Sequence, residues 1–264
     1  MKTITTESIV QNLFDAEKNV QTLPQFANEY AGLDEDKAYD LQELLVEKKI
    51  AEENTTLSGW KLGLTSKAKQ QMMGVHEPSY GVLLKNMSLN EGETHSLAPF
   101  IHAKLEPELA FVFKKDVVGT HITPAQIIDA TDYIIPAFEV IDSRFEAFKF
   151  TLLDAIADNS SSSRYILGNQ FISPDSIDLR LTGIVFRQNG EVVATSTLAA
   201  VMGNPAVAIA WMANKIAKRN QFIRKGEVVL SGAITQAMHI SPGDTFSATF
   251  DGLGTINANF ETGE

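Results

Sequence analysis

The chain has 264 residues, 44% of them hydrophobic, enough to bury a large core in one domain or two modest ones. Its net charge of -11 at pH 7, from 22 Lys and Arg against 33 Asp and Glu, disfavours a nucleic-acid backbone or an anionic membrane as partner, and an anionic ligand needs a local cation. There is no cysteine, which excludes disulfides, thiolate metal sites and Cys nucleophiles and leaves oxygen or imidazole to hold any metal. The first residues lack the basic start and apolar core of a signal peptide, and no apolar run reaches membrane-spanning length, so a soluble cytoplasmic protein is expected.

Residues from about Thr6 to Asn54 read as helical, with Ile9, Leu13 and Phe14 on one face and Ala38, Leu41, Leu44 and Leu45 on the next, after an acidic start at Asp34. A short strand at Gly59–Leu64 carries one charge, Lys61, and Thr65 or Ser66 then caps a helix through Met73 that Gly74 stops. A lone lysine in such a strand snorkels to the surface, pairs structurally or faces a functional partner. His76–Gly81 reads as a turn before Val82-Leu83-Leu84, either a loop or the rim of a site. Strands are expected at 105–113 and 133–141, separated by a helix at about 123–131. A helix at about 149–157 leads into Asp158-Asn159-Ser160-Ser161-Ser162-Ser163-Arg164. Such polar runs are ordinarily solvated loops; the alternative is a cradle of hydroxyls and backbone N–H groups for a substrate carboxylate, with Arg144 or Arg164 as counter-charge. The remainder is β-rich. A hairpin around Asn189-Gly190 joins strands at 179–187 and 191–197, Asn204 and Pro205 open a helix, and strands return at 227–234, 245–250 and 255–260.

The chemistry concentrates in Leu105-Glu106-Pro107-Glu108-Leu109-Ala110-Phe111. Strand alternation puts Glu106 and Glu108 on one face and Leu105, Pro107, Leu109 and Phe111 on the other, and the glutamate face continues through Ala110 and Val112. The strand is apolar on both sides, so both carboxylates point inward. Glu139 stands alone as an ionisable side chain within Ile134–Ile141 and has the same burial problem. Buried like charges require a cation, either basic side chains or a bound metal. In the nearby apolar strands Lys61 and Lys104 carry positive charge, too few to neutralise three acids, and a metal is expected. An all-oxygen set favours a hard ion, Mg²⁺ or Mn²⁺, over Zn²⁺. Such an ion keeps open positions that a 2-oxo acid can fill, and it acts as an electron sink for an enolate.

Four stretches taken together resemble the hydratase and decarboxylase family of catechol meta-cleavage pathways, within the fumarylacetoacetate hydrolase superfamily. They are Gly59-Trp60-Lys61-Leu62-Gly63-Leu64-Thr65-Ser66-Lys67-Ala68-Lys69, Glu106-Pro107-Glu108-Leu109-Ala110-Phe111, Pro136-Ala137-Phe138-Glu139-Val140-Ile141-Asp142-Ser143-Arg144 and Asp158-Asn159-Ser160. The resemblance runs from about residue 35 to the C-terminus and includes Leu230-Ser231-Gly232 and Pro242-Gly243-Asp244. It implies an α/β (α+β) fold, a mixed β-roll with flanking helices, and assembly as a homo-oligomer. By position it implies Glu106, Glu108 and Glu139 as Mg²⁺ ligands and Lys61 as the active-site lysine. Arg144 and the serines Ser160, Ser161 and Ser162 are candidates, mainly by resemblance, for holding the distal carboxylate of the substrate. No repeat or linker divides the chain. Residues 1–264 are expected as a single catalytic domain, about 1–90 mainly helical and about 91–264 a β-rich metal-binding core.

Hydratases of this family generally have an aspartate in a Pro-Asp-Tyr-Gly or Pro-Asp-Phe-Gly stretch. Here it is Pro78-Ser79-Tyr80-Gly81, and a serine cannot serve as a carboxylate base. His76-Glu77-Pro78, Asp142-Ser143-Arg144-Phe145 and Phe148-Lys149-Phe150-Thr151-Leu152 are more similar to the 4-oxalocrotonate decarboxylases. The expected reaction is decarboxylation of 2-oxohex-3-enedioate to 2-hydroxypenta-2,4-dienoate. The departing carboxylate is vinylogous to the ketone, so no strong base is needed to begin, and Lys61 attracts substrate charge and helps deliver a proton to the enolate. The alternatives are hydration of 2-hydroxypenta-2,4-dienoate or a homologue, hydrolytic C–C cleavage of an acylpyruvate by a His and Glu pair, and a non-catalytic subunit stabilising a sister hydratase. His76, His95, His102, His121 and His239 are present, but none is bracketed by a recognisable partner.

Overall fold

The computed structural model describes residues 5–30, 32–67, 70–71 and 74–262. Two helices come first, α1 (Thr6–Lys18), capped by Thr5, and α2 (Glu35–Glu53), capped by Asp34. Strands β1 (Leu57–Gly63), β2 (Ser79–Leu84), β3 (Ser88–Asn90), β4 (Thr94–Ser96) and β5 (Lys104–Phe113) follow, then α3 (Pro124–Ala130) and β6 (Thr131–Ile141). Helix α4 (Leu152–Ala157) precedes β7 (Ser162–Leu167), β8 (Gly183–Gln188) and β9 (Glu191–Thr197). Helix α5 (Pro205–Ala217) and strands β10 (Val228–Leu230), β11 (Met238–His239), β12 (Thr245–Phe250) and β13 (Gly254–Glu261) come last.

Among the described residues the strands form two sheets. One is ordered β2-β1-β10-β5-β6-β7-β3, with β11 on the start of β5, and the other β4-β13-β12-β8-β9. Pairing is mixed, and the helices pack outside, α2 on α1 and α4, and α3 on α5. This is the mixed α/β architecture expected from the sequence. Its centre is the antiparallel pair β5 and β6, with Glu106 opposite Glu139 and Pro107 opposite Phe138. Alternation puts Pro107 and Phe138 on one face and the three glutamates on the other. The Phe138 face meets the second sheet, where its ring centre lies 5.9 Å from that of Phe186, which stacks on Phe246. Burying each such ring contributes about 1.5–3 kcal/mol, so this seam sets which way the strand pair faces and turns the glutamates away from it. No helix among the described residues is long and apolar enough to cross a membrane.

The helical layer ends at Glu53, where Asn54 takes up a left-handed conformation, and residues 57–90 hold three strands of the large sheet rather than helix. The helix expected at 65–73 falls in part on residues 68, 69, 72 and 73, outside the described residues. Strand β2 begins at Ser79, so the Pro78-Ser79-Tyr80-Gly81 stretch enters the sheet, with Ser79 opposite Gly63 and Gly81 opposite Lys61. Strand β10 stops at Leu230 instead of running to 234, because Gly232 turns at φ +107° and gives its N–H to Glu108. The serine run is no solvated loop: Ser160, Ser161, Ser162 and Ser163 are all buried.

Strands β1 and β10 run parallel with Gly59 beside Val228, and a Cβ on Gly59 would lie 1.8 Å from the Val228 carbonyl oxygen. No rotamer relieves that clash. Gly59→Ala is expected to cost about 3 kcal/mol or more of stability, read as a lower urea midpoint; an unchanged midpoint would mean that the two strands separate at little cost.

Candidate active site

Glu106 and Glu139 face each other across β5 and β6, and Glu108 is the next residue on their side of β5. All three are buried, and each offers a carboxylate oxygen within 4.8 Å of the others. The Gly232 N–H donates to Glu108 Oε2 at 2.7 Å. When the three are ionised, no hydrogen-bond donor among the described residues reaches Glu108 Oε1 or Glu139 Oε2. Burial, followed by the charges of Glu139 and Glu106, pushes the Glu108 carboxyl well above its ordinary range. Glu139 is raised from 4.5 to about 7, as burial and the Glu106 charge outweigh the pull of Lys61. Three buried acids, two of them with an unmet carboxylate oxygen, and no histidine or thiolate in the group make a donor set that fits a hard divalent cation.

Lys61 rises from β1, between β2 and β10, and does not snorkel outwards. Its Nζ lies 3.1 Å from Glu139 Oε1, an ion pair, and donates to the Ser160 carbonyl at 3.1 Å. Burial alone would lower the Lys61 pKa, but the combined charge of Glu139, Glu108 and Glu106 raises it, so the group is an ammonium. A Cβ at Gly81 would come within 2.6 Å of the Asn159 carbonyl and 3.1 Å of Lys61 Cδ, so glycine is what lets the lysine stem pass the loop. That loop is clamped. The Asn159 side chain accepts from Val82 N at 2.7 Å and donates to Val82 O at 2.9 Å, and Ser160 Oγ donates to Tyr80 O at 2.8 Å. Asn159, Ser160 and Ser161 all have φ near +50°, a strained run held by these contacts.

Two neighbouring cavities reach this cluster at Glu106 and share Glu106, Ile141 and Ala233. The inner one, about 100 Å³, is lined by Lys61, Ser79, Ser160 and Ser161 under an apolar cover of Phe148 and Phe150. The outer one, about 520 Å³, is lined by Ser66, Lys104, Thr235 and Gln236.

Other expected site residues lie elsewhere. Arg144 is buried with its guanidinium bound to Asp158 and to the Ser162 carbonyl, 3.7 Å from Glu17 Oε2, and it lines neither cavity. Its attraction to Asp158 and Glu17 overcomes burial and raises its pKa, and burial still pushes Asp158 up to about 7. The arginine therefore holds the loop beside the site, with its guanidinium committed inside the fold. Ser162 also lines neither cavity. No histidine among the described residues lines either one, which leaves a hydrolytic His and Glu pair without a base. Sequence reasoning missed the Gly232 N–H, although Leu230-Ser231-Gly232 was part of the family resemblance, and it missed the position of Lys104 on the outer cavity.

The fumarylacetoacetate (FAA) hydrolase C-terminal family model matches residues 62–261. The chain is 39% identical over 253 residues to a 4-oxalocrotonate decarboxylase of Pseudomonas sp. (strain CF600), covering 96% of each chain. It is 33% identical to a 2-keto-4-pentenoate hydratase of Paraburkholderia xenovorans (strain LB400), covering 98% of this chain and 96% of that one. Among solved structures, 4-oxalocrotonate decarboxylase from Pseudomonas putida G7, complexed with magnesium and adipate, superposes with a TM-score of 0.92 at 36% identity, covering 98% of this chain and 100% of that one.

Two outcomes are expected from this geometry. A raised carboxylate stabilises the fold fully below its unfolded pKa and loses that contribution as pH rises through the folded value, so Glu139 weakens the metal-free protein between 4.5 and about 7. Mg²⁺ should therefore raise the melting temperature more at about pH 8 than at about pH 5, and equal shifts in scanning calorimetry would count against the carboxylates as its site. Arg144→Met strands the buried Asp158 and should cost about 3–5 kcal/mol in urea unfolding; full stability with a weakened substrate KM would return Arg144 to a binding role.

Proposed function

The chain belongs to the fumarylacetoacetate hydrolase family, and from that premise we propose that it is a metal-dependent lyase that decarboxylates 2-oxohex-3-enedioate (4-oxalocrotonate) to 2-hydroxypenta-2,4-dienoate. The observation that carries this reading is the buried all-oxygen set of Glu106, Glu108 and Glu139 beside the Lys61 ammonium, with Ser79 where a water-activating carboxylate is needed for hydration. Mg²⁺ is the proposed ion, with Mn²⁺ able to serve, held by the three glutamates. When bound, it supplies a Lewis acid for the negative charge that develops at the 2-oxo group.

The protein's own groups do the rest. Breaking the C5–C6 bond releases CO₂ and sends the electron pair through the alkene to the 2-oxygen, and no base has to remove a proton first. Lys61, whose Nζ lies 3.1 Å from Glu139, offsets the developing negative charge and is the proton donor to that oxygen. Ser160 holds its Nζ through a backbone carbonyl, and Ser160 and Ser161 line the same cavity, where their hydroxyls orient the substrate. Phe148 and Phe150 keep water from the dienolate, whose hydration is the competing reaction. The proposal includes a cytoplasmic setting in aromatic catabolism, self-assembly, and association with a sister hydratase. Exposed Val192 and Val193 on β9, at the edge of the smaller sheet, are compatible with assembly.

Hydration of 2-hydroxypenta-2,4-dienoate is the second reading, supported by hydratase relatives at 32–36% identity. The purified protein with Mg²⁺ is expected to release CO₂ from 2-oxohex-3-enedioate while leaving the ultraviolet absorbance of separately supplied 2-hydroxypenta-2,4-dienoate largely intact. Loss of absorbance without CO₂ would replace the decarboxylase with the hydratase. Lys61→Met should lower turnover at least about a hundredfold while Mg²⁺ binding by calorimetry persists, and wild-type turnover would remove Lys61 from the mechanism.

A further inference from the structure

With Arg144 committed to Asp158, the distal carboxylate of the substrate needs another cation. We propose that Lys104 is the residue that receives it, at the outer end of a site whose inner end is the Glu106, Glu108 and Glu139 cluster. The inference rests on the proposed function in taking the substrate to be a 2-oxo diacid, and it names the residue that reads the second charge.

Lys104 opens β5 two residues before Glu106 and is on the same face, one pleat repeat or about 6.8 Å along the strand. An extended six-carbon diacid separates its two carboxyl carbons by a comparable length. A molecule with its 2-oxo acid end at the glutamates and its chain lying along β5 therefore brings its far carboxylate to Lys104. The space agrees with this path. Glu106 and Ile141 line both cavities, Lys104 pairs with Ile141 across the sheet, and the outer cavity of about 520 Å³ takes the part of the substrate that the inner one cannot hold. Among the described residues lining the outer cavity, Lys104 is the single lysine or arginine. Its Nζ sits 3.9 Å from the centre of the Phe148 ring, which covers the inner cavity, so the ammonium is held at the junction of the two. Lys61 belongs to the inner end, where Glu139 and the Ser160 carbonyl hold its ammonium.

The position also suits the reaction. The carboxylate at Lys104 leaves as neutral CO₂ while its charge travels to the opposite end of the molecule, so Lys104 attracts the substrate more than the transition state. Its removal should act on binding.

The test compares 2-oxoadipate with 2-oxohexanoate, a chain of equal length lacking the distal charge, by titration calorimetry on the Mg²⁺-loaded protein. Wild type is expected to prefer the diacid, and Lys104→Met to weaken diacid binding about ten- to a hundredfold, the range for one charge-assisted hydrogen bond, while monoacid binding hardly changes. Lys104→Arg should restore much of the preference. With 2-oxohex-3-enedioate the larger part of the loss in kcat/KM is expected in KM. Lys104→Gln serves if the Met variant does not fold. Equal weakening of both ligands, no preference in wild type, or binding of neither would overturn the assignment. CO₂ release by wild type is a separate readout, so a protein that prefers the diacid through Lys104 but releases no CO₂ refutes the reaction and not the subsite.

Discussion

Three carboxylates of one sign, buried on adjacent strands, are the constraint around which this structure is arranged. Left ionised and unpaired they would cost far more than a typical domain's whole stability, and the surrounding groups all lessen that cost. Gly232 abandons the β10 ladder to hydrogen-bond Glu108, and Lys61 crosses from β1 to pair with Glu139. Lys61 and the Gly232 N–H still leave an oxygen of Glu108 and one of Glu139 without a donor among the described residues, which suits the cluster to a divalent cation.

The lysine needs support of its own, which comes from the loop at 158–161. Its left-handed run at Asn159, Ser160 and Ser161 is costly in isolation and persists because the Asn159 amide bonds both backbone groups of Val82 and Arg144 anchors Asp158. Helix α2 joins this support through Gln42, whose amide donates to Tyr80 O at 3.0 Å and Ile156 O at 2.8 Å. The N-terminal helices are thus tied to the strand that carries Ser79 and to the helix that leads into the loop, and an arginine far from the substrate still governs where Ser160 presents its carbonyl.

An acidic chain that takes an anionic substrate must reverse its field locally. Net charge is -11, yet Lys61 lines the inner cavity and Lys104 the outer one. This separation gives the site a direction. On the proposed reading the distal carboxylate would enter at the outer cavity, and the three glutamates would hold the ion at the inner end beside the Lys61 ammonium. The apolar rings of Phe148 and Phe150 on the inner cavity would strengthen both interactions by excluding water.

The sequence by itself determined the parts that depend on local periodicity and on the cost of burying charge. Period-two alternation put Glu106 and Glu108 on one inward face, a lone acid in an apolar strand marked Glu139, and the absence of cysteine excluded thiolate ligands. The match of several spaced motifs pointed to the family and to Lys61. Tertiary structure decided what depends on partners distant in the chain: the register that sets Glu106 against Glu139, the early end of β10, and the burial of the serine run. It also decided between cations. Arg144 and Lys104 carry the same charge and stand near the same motifs, but the arginine's planar donors fit Asp158 and the Ser162 carbonyl inside the fold, whereas the lysine stays half-buried at the start of β5 with its ammonium on the cavity. Nothing local distinguishes them, because a long side chain's destination is set by which acid and which space the folded chain brings within its reach.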